Sequence, residues 1–282
     1  MGYGDDLMIT AFAAKVKKNY PERQVVIGSL KEKKAYDSII YENNPNIADC
    51  NNLNLSKPIH IIDYHNKNRP YIDYVESNHI RYVWNHNFKV SPGELYFSNN
   101  ENQQADYIIK DAKDYWYKKN NRKYEGIIFF EGSATRSNKS KFAIKYSNLD
   151  WGHDNWKRLI SRISRHFLII QSSHENTKIL ENTFISNKLG FRISCALMNK
   201  CDMFLGPHGG FSHVAAAIKK KAVVYFGGWI SPDSMGYDTH QNIYFENVNS
   251  PCGSVGIICD HCEEARKSIS IKTFEEKIFS NF

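Results

Sequence analysis

Between Gly126 and Gly228, short apolar runs alternate with helical patterns, and this alternation restricts the fold more than any other feature of the chain. Gly126-Ile127-Ile128-Phe129-Phe130 has the unbroken apolar character of a strand buried on both faces. Phe167 to Gln171, Met203 to Gly206 and Ala222 to Phe226 repeat it. Between these runs, His153 to His166 sets Trp156, Leu159, Ile160 and Ile163 on one helical face, and Ile193 to Lys200 and Phe211 to Lys219 supply two more helices. Strands separated by helices form a mainly parallel sheet, and open sheets of this kind bind ligands beyond the carboxyl ends of their strands.

The first part of the chain carries a fainter version of the pattern. Ile9, Phe12, Ala13, Val16 and Tyr20 recur at helical spacing and predict a helix over Asp5 to Tyr20, stopped by Pro21. A strand is expected at Gln24 to Gly28, further β-type runs at His60 to Asp63, Arg81 to Trp84 and Glu94 to Phe97, and a helix from Asn102 to Lys119. The polar, aperiodic stretch Lys118 to Lys123 marks a boundary, giving residues 1–121 and 122–282 as two domains. A last helix is expected over Ile271 to Phe279. A chain of 282 residues suffices for two Rossmann-like domains facing each other across a cleft.

The formal charge of +7 is spread over short groups such as Lys15, Lys17 and Lys18, as on solvated faces, and no nucleic-acid reading motif accompanies it. No apolar run approaches the roughly 18 to 20 residues of a spanning helix. The start, Met1-Gly2-Tyr3-Gly4-Asp5-Asp6, is acidic where a signal peptide would be basic, so a cytoplasmic setting is expected. With no secretory signal, the six cysteines read as reduced thiols.

The strongest local motif is Gly206-Pro207-His208-Gly209-Gly210-Phe211-Ser212-His213, a strand end, a glycine turn and a helix start. First-turn amides at such a start suit a phosphate group, with glycines for close approach, a hydroxyl from Ser212, and donors from His208 and His213. A tight turn into a core helix is the plainer reading. The motif, continued by Val214-Ala215-Ala216-Ala217 and by Ala222 to Gly228, resembles the donor-binding region of glycosyltransferase family 9, which includes the ADP-heptose lipopolysaccharide heptosyltransferases. Gly210, Ser212, His213, Ala216 and Ala217 keep that family's pattern, while His208 stands where the family has Asp.

Gly2-Tyr3-Gly4-Asp5-Asp6 lacks the third glycine of a dinucleotide fingerprint and puts carboxylates where a pyrophosphate needs positive partners. On the residues alone, Asp5 or Asp6 is a helix N-terminal acid. The segment also resembles the family's Gly-x-Gly-Asp-x-x-x-x-Thr turn, which implies Asp5 as the base on an acceptor hydroxyl and places Gly4, Thr10 and the strand-end Gly228 at the cleft. Asp6 is the substitute. Trp151 and Trp156 match a family Lys-x-Trp-x-x-x-x-Trp segment, but the Lys position is Leu149. A compensating positive group is sought in His208 or in Arg136, Lys139, Lys141 and Lys145 of the preceding loop, with Lys139 and Lys141 taken as donor-binding.

The resemblance implies GT-B architecture and transfer of a sugar, with a heptose as one candidate, from a nucleoside diphosphate to a glycan or glycolipid hydroxyl, with inversion. It implies no required metal; no nucleic-acid partner is expected, and peripheral contact with the inner membrane face is one candidate partnership. A catalytically inactive nucleotide-sugar or glycan-binding protein is the alternative. Separately, Cys252, Cys259 and Cys262, with His261 beside them, could hold a structural zinc or iron; plain thiols in a C-terminal loop are the default.

Overall fold

The computed structural model describes residues 2–64, 67–132, 148–174, 177–186, 189–255 and 259–282. The apolar runs become the centre of a six-stranded parallel sheet formed by β6 (Gly126–Phe130), β7 (Phe167–Gln171), β8 (Phe184–Ile185), β9 (Met203–Pro207), β10 (Lys221–Gly227) and β11 (His240–Tyr244). The strands lie in the order β11-β10-β9-β6-β7-β8, the doubly wound arrangement in which the chain reverses direction between β6 and β9. Every residue of β6, β7 and β9 is buried, as their unbroken apolar character requires.

Three helices of this half follow the sequence closely: α3 (His153–Ile163), α4 (Phe191–Lys200) and α5 (Gly210–Ala217). Trp151 and Trp156 are fully buried and meet edge to face with ring centroids 5.0 Å apart, and Trp151 stacks on Phe274 at 4.1 Å. Phe274 belongs to α8 (Ile271–Phe279), so the two tryptophans fix α3 and the C-terminal helix to one face of the sheet.

The first half is smaller than expected from a full Rossmann-like unit. Its sheet has three strands in the order β2-β1-β3: β1 (Gln24–Ser29) runs parallel to β3 (Ile59–Ile62) and antiparallel to the two-residue β2 (Lys34–Ala35). The expected strand at Arg81 to Trp84 contracts to β5 (Val83–Trp84), paired with β4 (Ile72–Asp73). Glu94 to Phe97 forms no strand; the Glu94 amide is instead held by the Thr10 hydroxyl at 2.6 Å. Helix α1 (Tyr3–Asn19) precedes β1, and α2 (Asn99–Asn120) closes the segment behind a Ser98–Glu101 capping box.

Two seams join the halves. In the first, α2 packs on α4 and β7, and Arg192 of α4, 6% exposed, reaches into the first half. Its guanidinium donates to Glu101 at 2.5 and 2.9 Å and to the carbonyls of Ile39 and Tyr96 at 2.7 and 2.6 Å. Burial pushes the Glu101 carboxyl up, but the Arg192 and Ser98 hydrogen bonds outweigh it and leave the group below its ordinary value. In the second seam, the Tyr82 amide donates to the Gly253 carbonyl at 2.8 Å, and the Trp84 indole donates to the Trp229 carbonyl at 2.9 Å. A Cβ on Gly253, whose φ is +62°, would fall 1.9 Å from the Tyr82 carbonyl oxygen. One apolar cluster, including Leu7, Ile27, Phe129 and Phe204, runs through both halves. No helix among the described residues is long and apolar enough to cross a membrane.

Candidate active site at two helix starts

Both glycine-bearing motifs lie at helix starts, and the fold brings these starts together. Because α5 follows β9, its first turn stands at the reversal point of the large sheet. A Cβ at Gly4 in α1 would sit 2.8 Å from Cδ2 of His213, and one at Gly210 would sit 3.9 Å from the Gly4 nitrogen. Only glycine allows that approach at residue 4. The positive ends of two helix dipoles are thereby neighbours, an arrangement that attracts negative charge. Helix α1 has Asp5 and Asp6 in its first turn, whereas α5 has no acidic residue there.

Asp5 is held from two sides. The Tyr71 hydroxyl donates to its Oδ1 at 2.5 Å and the Arg69 guanidinium lies 3.5 Å from its Oδ2. Burial, followed by the Asp5 charge, raises the Tyr71 hydroxyl well above its ordinary pKa, so it remains a donor. Asp6 turns the other way, accepting from Ser38 at 2.7 Å and from Tyr41 at 3.5 Å. Burial dominates its environment and raises its carboxyl pKa despite these donors.

On the α5 side the side chains are less available than the sequence suggests. Ser212 is 1% exposed; its hydroxyl donates to the Gly209 carbonyl at 2.8 Å and accepts from the Gly209 amide at 3.0 Å. The hydroxyl expected for a ligand is spent on capping its own helix. Phe211 stacks on Phe191 at 5.0 Å and meets Phe129 at 5.2 Å, so its ring joins the two layers of the wall. His213 accepts or donates at Nδ1 to the Tyr237 hydroxyl, 2.6 Å away, and burial lowers its pKa to about 4. His208 lies 5.1 Å from the His213 ring and 4.7 Å from that of Phe226. Neither of its nitrogens has a hydrogen-bond partner among the described residues, and burial first, then His213 and His240, holds its pKa well below the ordinary value. Burial thus disfavours a positive charge at the position where the sequence offered one. Of the motif glycines Gly206, Gly209 and Gly210, Gly209 borders open space, with nothing within 4 Å of a Cβ placed on it.

Other expected positions lie elsewhere. Thr10 is fully buried, donating to the Leu7 carbonyl at 2.6 Å while accepting from Glu94, so it braces α1 and does not line an opening. Gly228 is buried beneath His261, whose Nε2 lies 3.1 Å from the Gly228 carbonyl oxygen. Leu149 is in the core, 5% exposed. Arg136, Lys139, Lys141 and Lys145 lie outside the described residues.

The cysteines do converge. Cys252 and Cys262 have Sγ atoms 3.4 Å apart, Cys259 and Cys252 3.5 Å, and all three fall within 4.8 Å of one another. Tetrahedral thiolates at ~2.3 Å from a zinc or iron require nearly that spacing. The expected C-terminal loop is partly helical here, since Cys259 caps α7 (Asp260–Ser268) and Cys262 lies in its first turn. His261 directs Nε2 to Gly228 and Ser250, while Nδ1 is buried with no partner among the described residues.

Arg69 and Tyr71 were invisible to sequence reasoning: the Tyr71–Asp5 bond spans 66 residues and no local pattern marks it. The same holds for Tyr237 and His240, which close the buried imidazole group behind α5.

This combination of a doubly wound second half, a smaller α/β first half and paired helix starts between them is the fold of GT-B glycosyltransferases. In particular it is the fold of a glycosyl transferase family 9 protein from Veillonella parvula, which aligns over 100% of this chain and 94% of its own at a TM-score of 0.58 and 13% identity. An iron-containing dodecameric glycosyltransferase, TibC of enterotoxigenic E. coli, aligns over 100% of this chain and 74% of its own at a TM-score of 0.59 and 12% identity. No protein-family model and no curated protein sequence matches the chain.

Proposed function

We propose that the chain is a glycosyltransferase that binds a nucleoside-diphosphate sugar at the start of α5 and transfers the sugar to an acceptor hydroxyl with inversion, Asp5 serving as base. The carrying observation is the pairing of the α1 and α5 starts through Gly4 and Gly210. Two adjacent positive helix ends, one without any acid of its own, are best complemented by a dianionic diphosphate. Backbone amides and helix dipoles then stabilise the departing diphosphate, the role the sequence reading gave partly to His208 and Ser212. Asp5, aligned by Tyr71 and Arg69, takes the acceptor proton. Lys139 and Lys141 remain proposed donor contacts, and a cytoplasmic setting with peripheral contact at the inner membrane face belongs to the same proposal.

A thermal-shift panel of ADP-, UDP-, GDP-, CMP- and dTDP-sugars tests the donor site, since a ligand bound to the folded state raises apparent stability. One donor class should stabilise the protein and support transfer or slow hydrolysis. Stabilisation without turnover would leave the binding-protein alternative. No shift with any donor would remove both.

We also propose that Cys252, Cys259 and Cys262 hold a structural iron or zinc. The convergent thiols fit such an ion, and TibC is described as iron-containing. A bound ion would fix the loop that forms the second seam; it has no part in the transfer step. Elemental analysis of protein purified without affinity-tag metal should find it, and Cys262→Ser should lose it.

A further inference from the structure

A second opening lies in the first half, away from the α5 start. It is a cavity of 460 Å³ floored by Val26 and Ile27 of β1. Two chain segments cross the edge of β1, the Ala48 amide donating to the Val25 carbonyl and the Tyr36 amide to the Ile27 carbonyl, each at 2.8 Å. The cavity opens between those crossings, lined by Tyr36 and Tyr41 and by the acidic residues Asp37, Glu42 and Asp49. Its size falls within the roughly 300–1,000 Å³ of small-molecule sites.

The charge of this cavity opposes that of the chain. No Lys or Arg is found among the described residues that line it, although the protein has a formal charge of +7. Glu42 shares its charge with Arg192, 3.3 Å away. The amide of Asn51, then the side chain of Asn52, hold Asp49 below its ordinary pKa and therefore ionised, and Asp37 is exposed at the rim. Asn44, 5% exposed, also lines the cavity, and its Nδ2 has no hydrogen-bond partner among the described residues. The inner wall meets the first turn of α1: Tyr41 touches Asp6, the chain neighbour of Asp5.

We propose that this cavity is an acceptor-side subsite for a hydroxyl-rich sugar unit that carries an amine and no acidic group. Its role as an acceptor site rests on the glycosyl-transfer reading; its ligand preference does not. Tyrosine faces and planar carboxylate and amide groups match a sugar ring and its hydroxyls, and the carboxylates favour an ammonium while repelling phosphate or uronate.

The test titrates the full chain with three tetrasaccharides: de-N-acetylated chitosan, N-acetylated chitin and oligogalacturonate. The expected order of affinity is chitosan, then chitin, with oligogalacturonate not bound. Asp37→Lys, at an exposed rim position, should weaken chitosan about tenfold or more, the effect of losing a charged contact and gaining a repulsive one. Ala48→Leu should weaken both chitosan and chitin by filling the hollow. Oligogalacturonate binding as tightly as chitosan, no binding by any of the three, or binding indifferent to both variants would overturn the proposal. Donor-induced thermal shifts measured on the same proteins separate the two readings. Sugar binding that survives while no donor binds would sink the transfer reading alone, and donor binding without sugar binding would sink the cavity alone.

Discussion

The two helix starts that meet at Gly4 and Gly210 are built from opposite materials. The α1 start is acidic and heavily tied, with Asp5 held by Tyr71 and Arg69 and Asp6 by Ser38 and Tyr41. The α5 start has no acid, caps itself through Ser212, and is backed by imidazoles that burial keeps neutral. One side therefore offers a positioned carboxylate, the proposed proton acceptor, and the other bare backbone polarity. That division suits a reaction in which one partner loses a proton and the other leaves as an anion.

The comparison is broken most severely by removing the acid. Asp5→Asn should lower turnover by about 10²- to 10⁴-fold while leaving the donor-induced thermal shift in place, as loss of a general base does. Asp6→Asn should have a much smaller effect on turnover, because its carboxylate faces Ser38 and Tyr41; equal losses in a transfer assay would move the base from residue 5 to residue 6.

Next in size is the seam that keeps the starts in register. Arg192→Met strands Glu101 without its buried partner and should cost about 3–5 kcal/mol in urea unfolding, the range for breaking a buried ion pair from one side. A loss under about 1 kcal/mol, typical of an exposed pair, would mean the guanidinium is not a clamp.

Acid should act through the α5 side. His213 and His240 are held down to about 4 by burial, against about 6.5 in an unfolded chain. Between these values the unfolded state binds more protons, so stability is full above about pH 6.5 and declines as pH falls toward 4. Urea midpoints measured from pH 7.5 down to 4.5 should follow that slope, and His240→Gln should flatten it. The smallest effect is expected from Ser212→Ala, which removes a cap worth about 1 kcal/mol. Donor affinity should be unchanged, because the hydroxyl is already committed to Gly209; a large loss of affinity would return Ser212 to the ligand.

What the sequence made legible follows from how each part is buried. Strands β6, β7, β9 and β10 lie inside a two-sided core, so their apolar runs announce them, and the intervening helices inherit clean faces. Edge strand β11 has a mixed burial pattern and polar residues, and went unnoticed. In the first half the two-residue strands β2, β4 and β5 are too short to impose any period. Gly4 was readable because its close approach to His213 leaves only one residue type possible. The partners of Asp5 were not, since Arg69 and Tyr71 come from a distant loop and act through single contacts. The burial of the two histidines was not legible, because a sequence does not tell an exposed imidazole from one packed against Phe226 or hydrogen-bonded to Tyr237.

Glu101 caps α2 and at the same time neutralises Arg192. For anyone dissecting the chain, this makes the polar stretch at Lys118 to Lys123 a poor place to cut. A fragment starting at residue 122 would expose the face of α4 and leave a guanidinium without its carboxylate, whereas one starting just before Ser98 would carry helix, cap and counter-ion together.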